Sequence, residues 1–226
     1  MTKLDCFGEN ILAGITGVEI DFKLLPEEDD VTSVQTVYLS ENFGIDGVVN
    51  IRQVHGNRVV YAQSVDQVIQ EADAVITDQR NVPITVRTAD CVPIFLHDTV
   101  KNVIGVIHAG WQSTHKCITE ETMKTMVQRC KVNPIDVQCY IGPCIRKQSF
   151  EVGDEFSEYF PNEYEVVDGQ GYVDVAQANK NQLIKSGILK ANISDCNEDT
   201  FTSDKWFSFR RDGVLAGRML HVMMLK

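Results

Sequence analysis

Residues 84–111 read ITVRTADCVPIFLHDTVKNVIGVIHAGW, and the fold turns on how this stretch is parsed. It holds three apolar runs: Ile84-Thr85-Val86, Val92-Pro93-Ile94-Phe95-Leu96 and Val103-Ile104-Gly105-Val106-Ile107. Each is too short for a globular helix and rich in β-branched or aromatic residues, so each predicts a strand. The last is nearly continuous in apolar residues, the pattern of a strand buried on both faces. Two joints punctuate the runs, Thr88-Ala89-Asp90-Cys91 and His108-Ala109-Gly110-Trp111.

Working outward, Val48 to Ile51 and Arg58 to Tyr61 read as strands around a turn at Gly56-Asn57, and Ala74-Val75-Ile76 as another. Beyond Trp111 the period changes. Ile118, Thr122, Met126, Val127 and Cys130 fall at helical spacing, with Ser113 or Thr114 as N-cap. Val137 to Ile141 predicts a strand. A second helix is expected from Asp174, as N-cap, to Gly187 beyond its end. Trp206-Phe207-Ser208-Phe209 and Met219 to Leu225 read as strands. The expectation is one compact mixed-sheet domain, α/β or α+β, over residues 1–226, with the strand order left open. The acidic run Glu27-Glu28-Asp29-Asp30 reads as a solvated surface turn.

The chain of 226 residues, 43% apolar and 23% charged, has ample material for a core. No run approaches the ~20 apolar residues of a membrane-spanning helix. Residues 1–20 lack a basic head before an apolar stretch, so no secretory signal and a cytoplasmic location are expected. The net charge is −11, which repels phosphate backbones and argues against nucleic acid as a partner. A local cationic pocket for one small anion remains compatible with it. Seven cysteines, an odd number, argue against a disulfide framework. CxxC and HExxH spacings are absent, so a metal site would have to be assembled from distant residues.

Three candidate sites lie at ends of predicted strands: Gln53-Val54-His55-Gly56, Asp90-Cys91, and His108 with the small Ala109 and Gly110 after it. Taken singly, Cys91 and His108 are also ordinary core residues. Adjacent strand ends could bring His55, Cys91 and His108 to one point. Two imidazoles and a thiolate suit a zinc with one open position; a thiolate beside a histidine also suits a nucleophile. Spacing leaves both readings open. Asp90 is the nearest acid/base candidate, or else an orienting group. Arg210 and Arg211 could clamp an anion bidentately, or could be solvated or paired with Asp212. Ile141-Gly142-Pro143-Cys144 reads as scaffold.

Several motifs in order resemble the YfiH-like laccase-domain family: Gln-Val-His-Gly at 53–56, Thr-Ala-Asp-Cys-Val-Pro at 88–93, His-Ala-Gly-Trp at 108–111 and Ile-Gly-Pro-Cys-Ile at 141–145. Phe-Glu-Val-Gly at 150–153, Tyr-Val-Asp-Val at 172–175, Phe-Ser-Phe-Arg-Arg-Asp-Gly at 207–213 and Gly217-Arg218-Met219 continue the match. The resemblance implies a CNF1/YfiH-like α-β fold and zinc held by His55, Cys91 and His108. It implies phosphorolysis of adenosine, inosine and methylthioadenosine, with adenosine deamination. Gln53, Gln112, Arg210 and Arg211 become the candidates for binding substrate and phosphate, and Cys91, His108 and Asp90 for catalysis. Other labels of the family imply a Cys/His hydrolase editing peptidoglycan precursors, with Cys91 as nucleophile and His108 as base, or a copper-dependent polyphenol oxidase. Five histidines are few for a multicopper centre. The expected partners are a nucleoside and phosphate, with neither nucleic acid nor membrane, and the expected state is a monomer or weak oligomer. Two departures stand out. Gln112 and Ser113 replace the family's usual Arg and Gly, and residues 1–47 diverge most, with Gly14-Ile15-Thr16-Gly17 the remnant of a glycine-rich segment.

Overall fold

The three apolar runs of residues 84–111 form consecutive strands, but they divide between two sheets. The computed structural model describes residues 1–23, 31–65 and 70–226, with residues 31–33 described by backbone alone. The acidic run Glu27–Asp30 therefore lies outside the described residues. A six-stranded mixed sheet runs in the order β14 (Ile193–Asp195), β10 (Val137–Ile141), β8 (Val92–Asp98), β9 (Val103–Ala109), β6 (Ala74–Thr77), β4 (Val59–Tyr61). A four-stranded antiparallel sheet runs β1 (Thr2–Lys3), β2 (Ile11–Ile15), β15 (Met219–Leu225), β7 (Ile84–Thr88). Smaller units are β11 (Glu151–Val152), β13 (Gln170–Val173) and β12 (Tyr164–Val167), and the parallel pair β3 (Ile51–Arg52) and β5 (Gln70–Glu71). The helices are α1 (Val31–Phe43), α2 (Trp111–His115), α3 (Ile118–Cys130), α4 (Phe156–Tyr159), α5 (Val175–Lys185) and α6 (Phe209–Asp212).

The layering explains the apolar runs. On β9, Val103, Ile107 and Ala109 belong to a core shared with α3 and α5, through Met123, Met126 and Leu183. Ile104 and Val106 belong to a second core, shared with Ile84 and Val86 of β7 and Met219 and Met223 of β15. The central sheet is thus covered by helices on one face and by the four-stranded sheet on the other. Every residue of β8 and of β9 is buried. Because β7 and β8 belong to different sheets, the joint between them turns sharply, and Asp90 takes φ +83 there. Positive φ is uncommon outside glycine and marks a backbone held by its surroundings.

Helix α5 follows its sequence signals closely. The Asp174 side chain caps it by accepting from the Gln177 N–H at 2.8 Å, and Gly187 takes φ +97 beyond its end. Three expectations are corrected. Ser113 and Thr114 do not cap the helix at Ile118; they are buried inside α2, and Cys117 breaks α2 from α3 with φ +61. Around Val48–Ile51 only Ile51–Arg52 is strand, and Val49 makes an isolated bridge to Ile84. Trp206–Phe209 is not a strand. Side chains there take the bonds a strand partner would make: the Trp206 carbonyl accepts from Arg211 Nη2, and Ser208 Oγ caps α6 by accepting from the Arg211 N–H.

Candidate functional site

His55 follows β3 in a turn with φ +55. The turn is held by one carboxylate. Asp73, fully buried just before β6, accepts from the N–H groups of Val54, His55 and Gly56 at 3.3, 3.0 and 2.6 Å. Lys116 Nζ holds the same turn from the α2–α3 junction by donating to the His55 carbonyl at 2.9 Å. Asp73 Oδ1 also accepts from His108 Nδ1 at 2.8 Å, which leaves Nε2 of that ring for the cavity. His108 lies within β9 rather than after it. Cys91 sits in the β7–β8 joint, with Sγ 3.9 Å from His55 Nε2. The two imidazoles meet edge to face, with centroids 4.8 Å apart at 73°.

One ligand atom from each of His55, Cys91 and His108 lies within 4.8 Å of the other two. Tetrahedral zinc with ordinary Zn–N and Zn–S bonds sets such donors about 3.5 Å apart, so small side-chain adjustments close the set. Gly110 makes the convergence sterically feasible. A Cβ there would fall 2.7 Å from His55 Cδ2 and 3.0 Å from Cys91 Sγ. The donor chemistry fits a borderline-soft cation: two imidazoles, one thiolate and a carboxylate orienting one of the rings.

Charge sharpens the pairing. Burial alone would raise the Cys91 thiol, but His108, and secondarily His55, outweigh it and bring its pKa down to about 6. Burial would likewise keep His108 neutral, yet the Cys91 thiolate and the hydrogen bond to Asp73 hold its pKa up at about 9. Burial also works against ionising Asp73, but its bonds from His108 and Gly56 win, so it titrates below its ordinary value.

The three groups line a cavity of about 760 Å³. Trp111, Phe150, Phe156 and Phe209 give it an aromatic wall, and Lys23, Arg87, Arg210 and Arg218 a basic one. Its volume is that of a small-molecule site.

The family profile described as multi-copper polyphenol oxidoreductase laccase matches residues 22–226. This chain belongs to that family. It is 31% identical over 201 residues to a purine nucleoside phosphorylase of Clostridium acetobutylicum, covering 83% of this chain and 81% of that protein. It is 32% identical over 205 residues to an adenosine deaminase from an unknown prokaryotic organism, covering 81% and 77%. The solved structure of YlmD from Geobacillus stearothermophilus superposes with a TM-score of 0.89 at 23% identity, covering 99% and 94%. These relatives support an enzyme that processes nucleosides.

Within this laccase-domain chain the remaining candidates are placed unevenly. Gln53 lines the cavity, but its amide is spent on the backbone of Arg87: Nε2 donates to the carbonyl at 2.7 Å and Oε1 accepts from the N–H at 2.8 Å. Gln112 lines the cavity from an exposed position on α2. Asp90 lines it too, yet Oδ1 accepts from Thr200 Oγ1 and Oδ2 from the Arg210 N–H, both at 2.6 Å. The carboxylate therefore ties α6 and residue 200 to the β7–β8 joint. Arg210 lines the cavity and donates from Nη1 to the Glu151 carbonyl at 2.8 Å. Arg211 is not among the lining residues. Its guanidinium donates to the Thr200, Ser203 and Trp206 carbonyls and pairs with Asp212 at 2.9 Å, so the phosphate role does not suit it.

Sequence reading missed Asp73, Arg87 and Lys23, and marked Arg218 only as part of the Gly217-Arg218-Met219 motif, without a role. Asp73 carried one faint signal, an acidic residue directly before a buried run, which Asp90 carried as well. Arg87 and Lys23 gave none, because surface and pocket cations look alike in a sequence.

Proposed function

We propose that the chain is a zinc-dependent purine nucleoside enzyme that cleaves adenosine, inosine and methylthioadenosine with phosphate and also deaminates adenosine. The observation that carries this reading is the convergence of His55, Cys91 and His108 at the wall of an aromatic-lined cavity. The relatives named as nucleoside phosphorylase and adenosine deaminase supply the reaction class. Zinc when bound would supply a Lewis acid and a water that ionises near neutral pH. His55, Cys91 and His108 would hold the ion, with Asp73 orienting the His108 ring through its hydrogen bond at Nδ1. Trp111, Phe150, Phe156 and Phe209 offer faces and edges for a planar base and keep water from it. Copper accepts the same donors. A multicopper oxidase, however, needs several such sites, and His55, Cys91 and His108 are the one group of this kind among the described residues. The reading also expects action on small molecules in the cytoplasm, as a monomer or weak oligomer.

A second reading draws on the Cys91–His108 pairing: a metal-free thiolate acting as nucleophile on peptidoglycan precursors. One experiment separates the two. Zinc-loaded protein is incubated with adenosine with and without phosphate, and the products are resolved by chromatography. Adenine with ribose 1-phosphate, together with inosine, supports the proposal. A protein that retains zinc and forms neither product overturns it.

A further inference from the structure

We propose that Arg87 and Arg218 form an oxyanion subsite in the wall of the cavity, and that it takes inorganic phosphate. The register of two strands makes the pair diagonal neighbours. On β7 and β15, Arg87 faces Leu220 and Thr88 faces Met219, so Arg218 follows one step past the last paired position. Both side chains line the cavity that contains Cys91, and Arg87 is linked to Cys91 by Thr88, Ala89 and Asp90 alone.

The two guanidinium groups are held at the root but have donors to spare. The Arg87 backbone is clamped by the Gln53 amide. Its guanidinium makes no hydrogen bond or ion pair with any described residue. Arg218 is anchored by its N–H to Asp21 Oδ1 at 2.8 Å and by Nη1 to the Ala216 and Gly217 carbonyls, with the Phe209 ring 5.8 Å away. Its Nε and Nη2 make no hydrogen bond with the described residues. Burial, and then the charge of Arg218, push the Arg87 pKa down to about 10. Two half-buried like charges whose guanidinium groups make no ion pair with the described residues repel one another, and a bound oxyanion reverses that cost.

The surroundings favour an anion as well. Among the described residues, four basic side chains line the cavity against two acidic ones, Asp90 and Glu151, in a chain of net charge −11. Both Asp90 oxygens are already engaged. Lys23 Nζ donates to the Val214 carbonyl at the same wall. A planar guanidinium matches two phosphate oxygens at once, and a pair of them can grip one tetrahedral anion. Arg210, by contrast, has one of its donors spent on Glu151, and Arg211 serves the 200–206 loop. The inference rests on the phosphorolysis reading for its ligand, since phosphate is the co-substrate there.

The test uses full-length, zinc-loaded protein and two readouts. Thermal shift and calorimetric titration measure binding of inorganic phosphate and, separately, of adenosine 5′-monophosphate. Steady-state kinetics measure KM for phosphate and for inosine. Arg87→Gln and Arg218→Gln should each raise the phosphate Kd and KM roughly ten- to a hundredfold, with a much smaller change in KM for inosine. Arg87→Lys should recover part of the loss, which a collapsed fold would not. Arg-dependent phosphate binding without nucleoside turnover sustains the subsite and sinks the functional reading. Turnover with an unchanged phosphate KM in both Gln variants overturns the subsite and leaves the function standing. Tighter, Arg87-dependent binding of the monophosphate than of phosphate overturns the assignment to free phosphate.

Discussion

His97 and His108 sit on the same antiparallel ladder, near opposite ends of β8 and β9. His108 faces Pro93 and His97 faces Ile104, and both are buried. Their chemistry is opposite. Burial pushes His97 below its ordinary value, and the neighbouring Asp98 only partly opposes it. Neither ring nitrogen of His97 has a hydrogen-bond partner among the described residues, and its contact is the edge of Phe7 at 6.2 Å. The pKa of His108, equally enclosed, is instead raised to about 9 by Cys91 and Asp73, against the effect of burial. Each end has an aspartate. Asp98 Oδ1 accepts from the turn N–H groups of Val100 and Lys101, both at 2.8 Å, while Asp73 Oδ1 accepts from the imidazole. Burial therefore does not distinguish a structural histidine from a functional one. The direction in which the nearest carboxylate points does.

The sharpest way to break this comparison is to remove donors at each end. Cys91→Ala and His108→Ala should lower zinc from about one ion per chain to near none by elemental analysis, while His97→Ala leaves it unchanged. Retention of zinc in both Cys91→Ala and His108→Ala would remove the assignment. The next largest effect separates the two aspartates. Asp73→Asn should weaken zinc about 10- to 100-fold in a chelator competition, because it releases both the His55 turn and the His108 tautomer. Asp98→Asn should leave zinc affinity untouched and lower melting temperature alone.

Glycines give a third contrast. Gly110→Ala should weaken zinc binding strongly, because its methyl group invades the His55–Cys91 gap. Gly105→Ala, within β9, meets Ile76 Cγ2 at 3.1 Å and should cost only about 1–3 kcal/mol of stability by denaturant titration. An unchanged zinc affinity in Gly110→Ala would show that the donors do not converge as described.

The smallest effect is a slope. His221, fully buried on β15 and hydrogen-bonded to Thr88 Oγ1 at 2.7 Å, is pushed down to about 3 by burial and by the charge of His108. A folded pKa below the unfolded value of 6.5 means the fold favours the neutral ring. Its contribution is complete above pH 6.5 and is lost as pH falls toward 3, by up to about 1.4 kcal/mol per pH unit. His221→Gln should flatten the stability profile over that window. Equal slopes in wild type and variant would refute the assignment.

The strands of residues 84–109, helix α5 with its Asp174 cap, and the donors His55, Cys91 and His108 were legible because each rests on local evidence. Apolar periodicity, a capping side chain and a polar residue at a strand end all lie within a few positions of one another. The same local reasoning failed at Trp206–Phe209, where aromatic alternation looks like a strand but Arg211 and Ser208 occupy the backbone. It failed at Ser113 and Thr114 for a similar reason: a residue at Cys117 in the left-handed region moved the helix start.

What only the tertiary structure decided was which charge meets which partner. Asp73 and Asp90 both precede buried runs, yet one faces His108 across 35 positions and the other reaches Thr200 across 110. Arg211 and Arg87 are both single cations in the sequence. The Arg211 guanidinium is consumed by Asp212 and by four carbonyls of the 200–206 loop, whereas that of Arg87 lines a cavity wall with no hydrogen bond to the described residues. Periodicity is a property of neighbours along the chain. Electrostatic pairing depends on distances set by strand order and register, and these are fixed when the sheets pack.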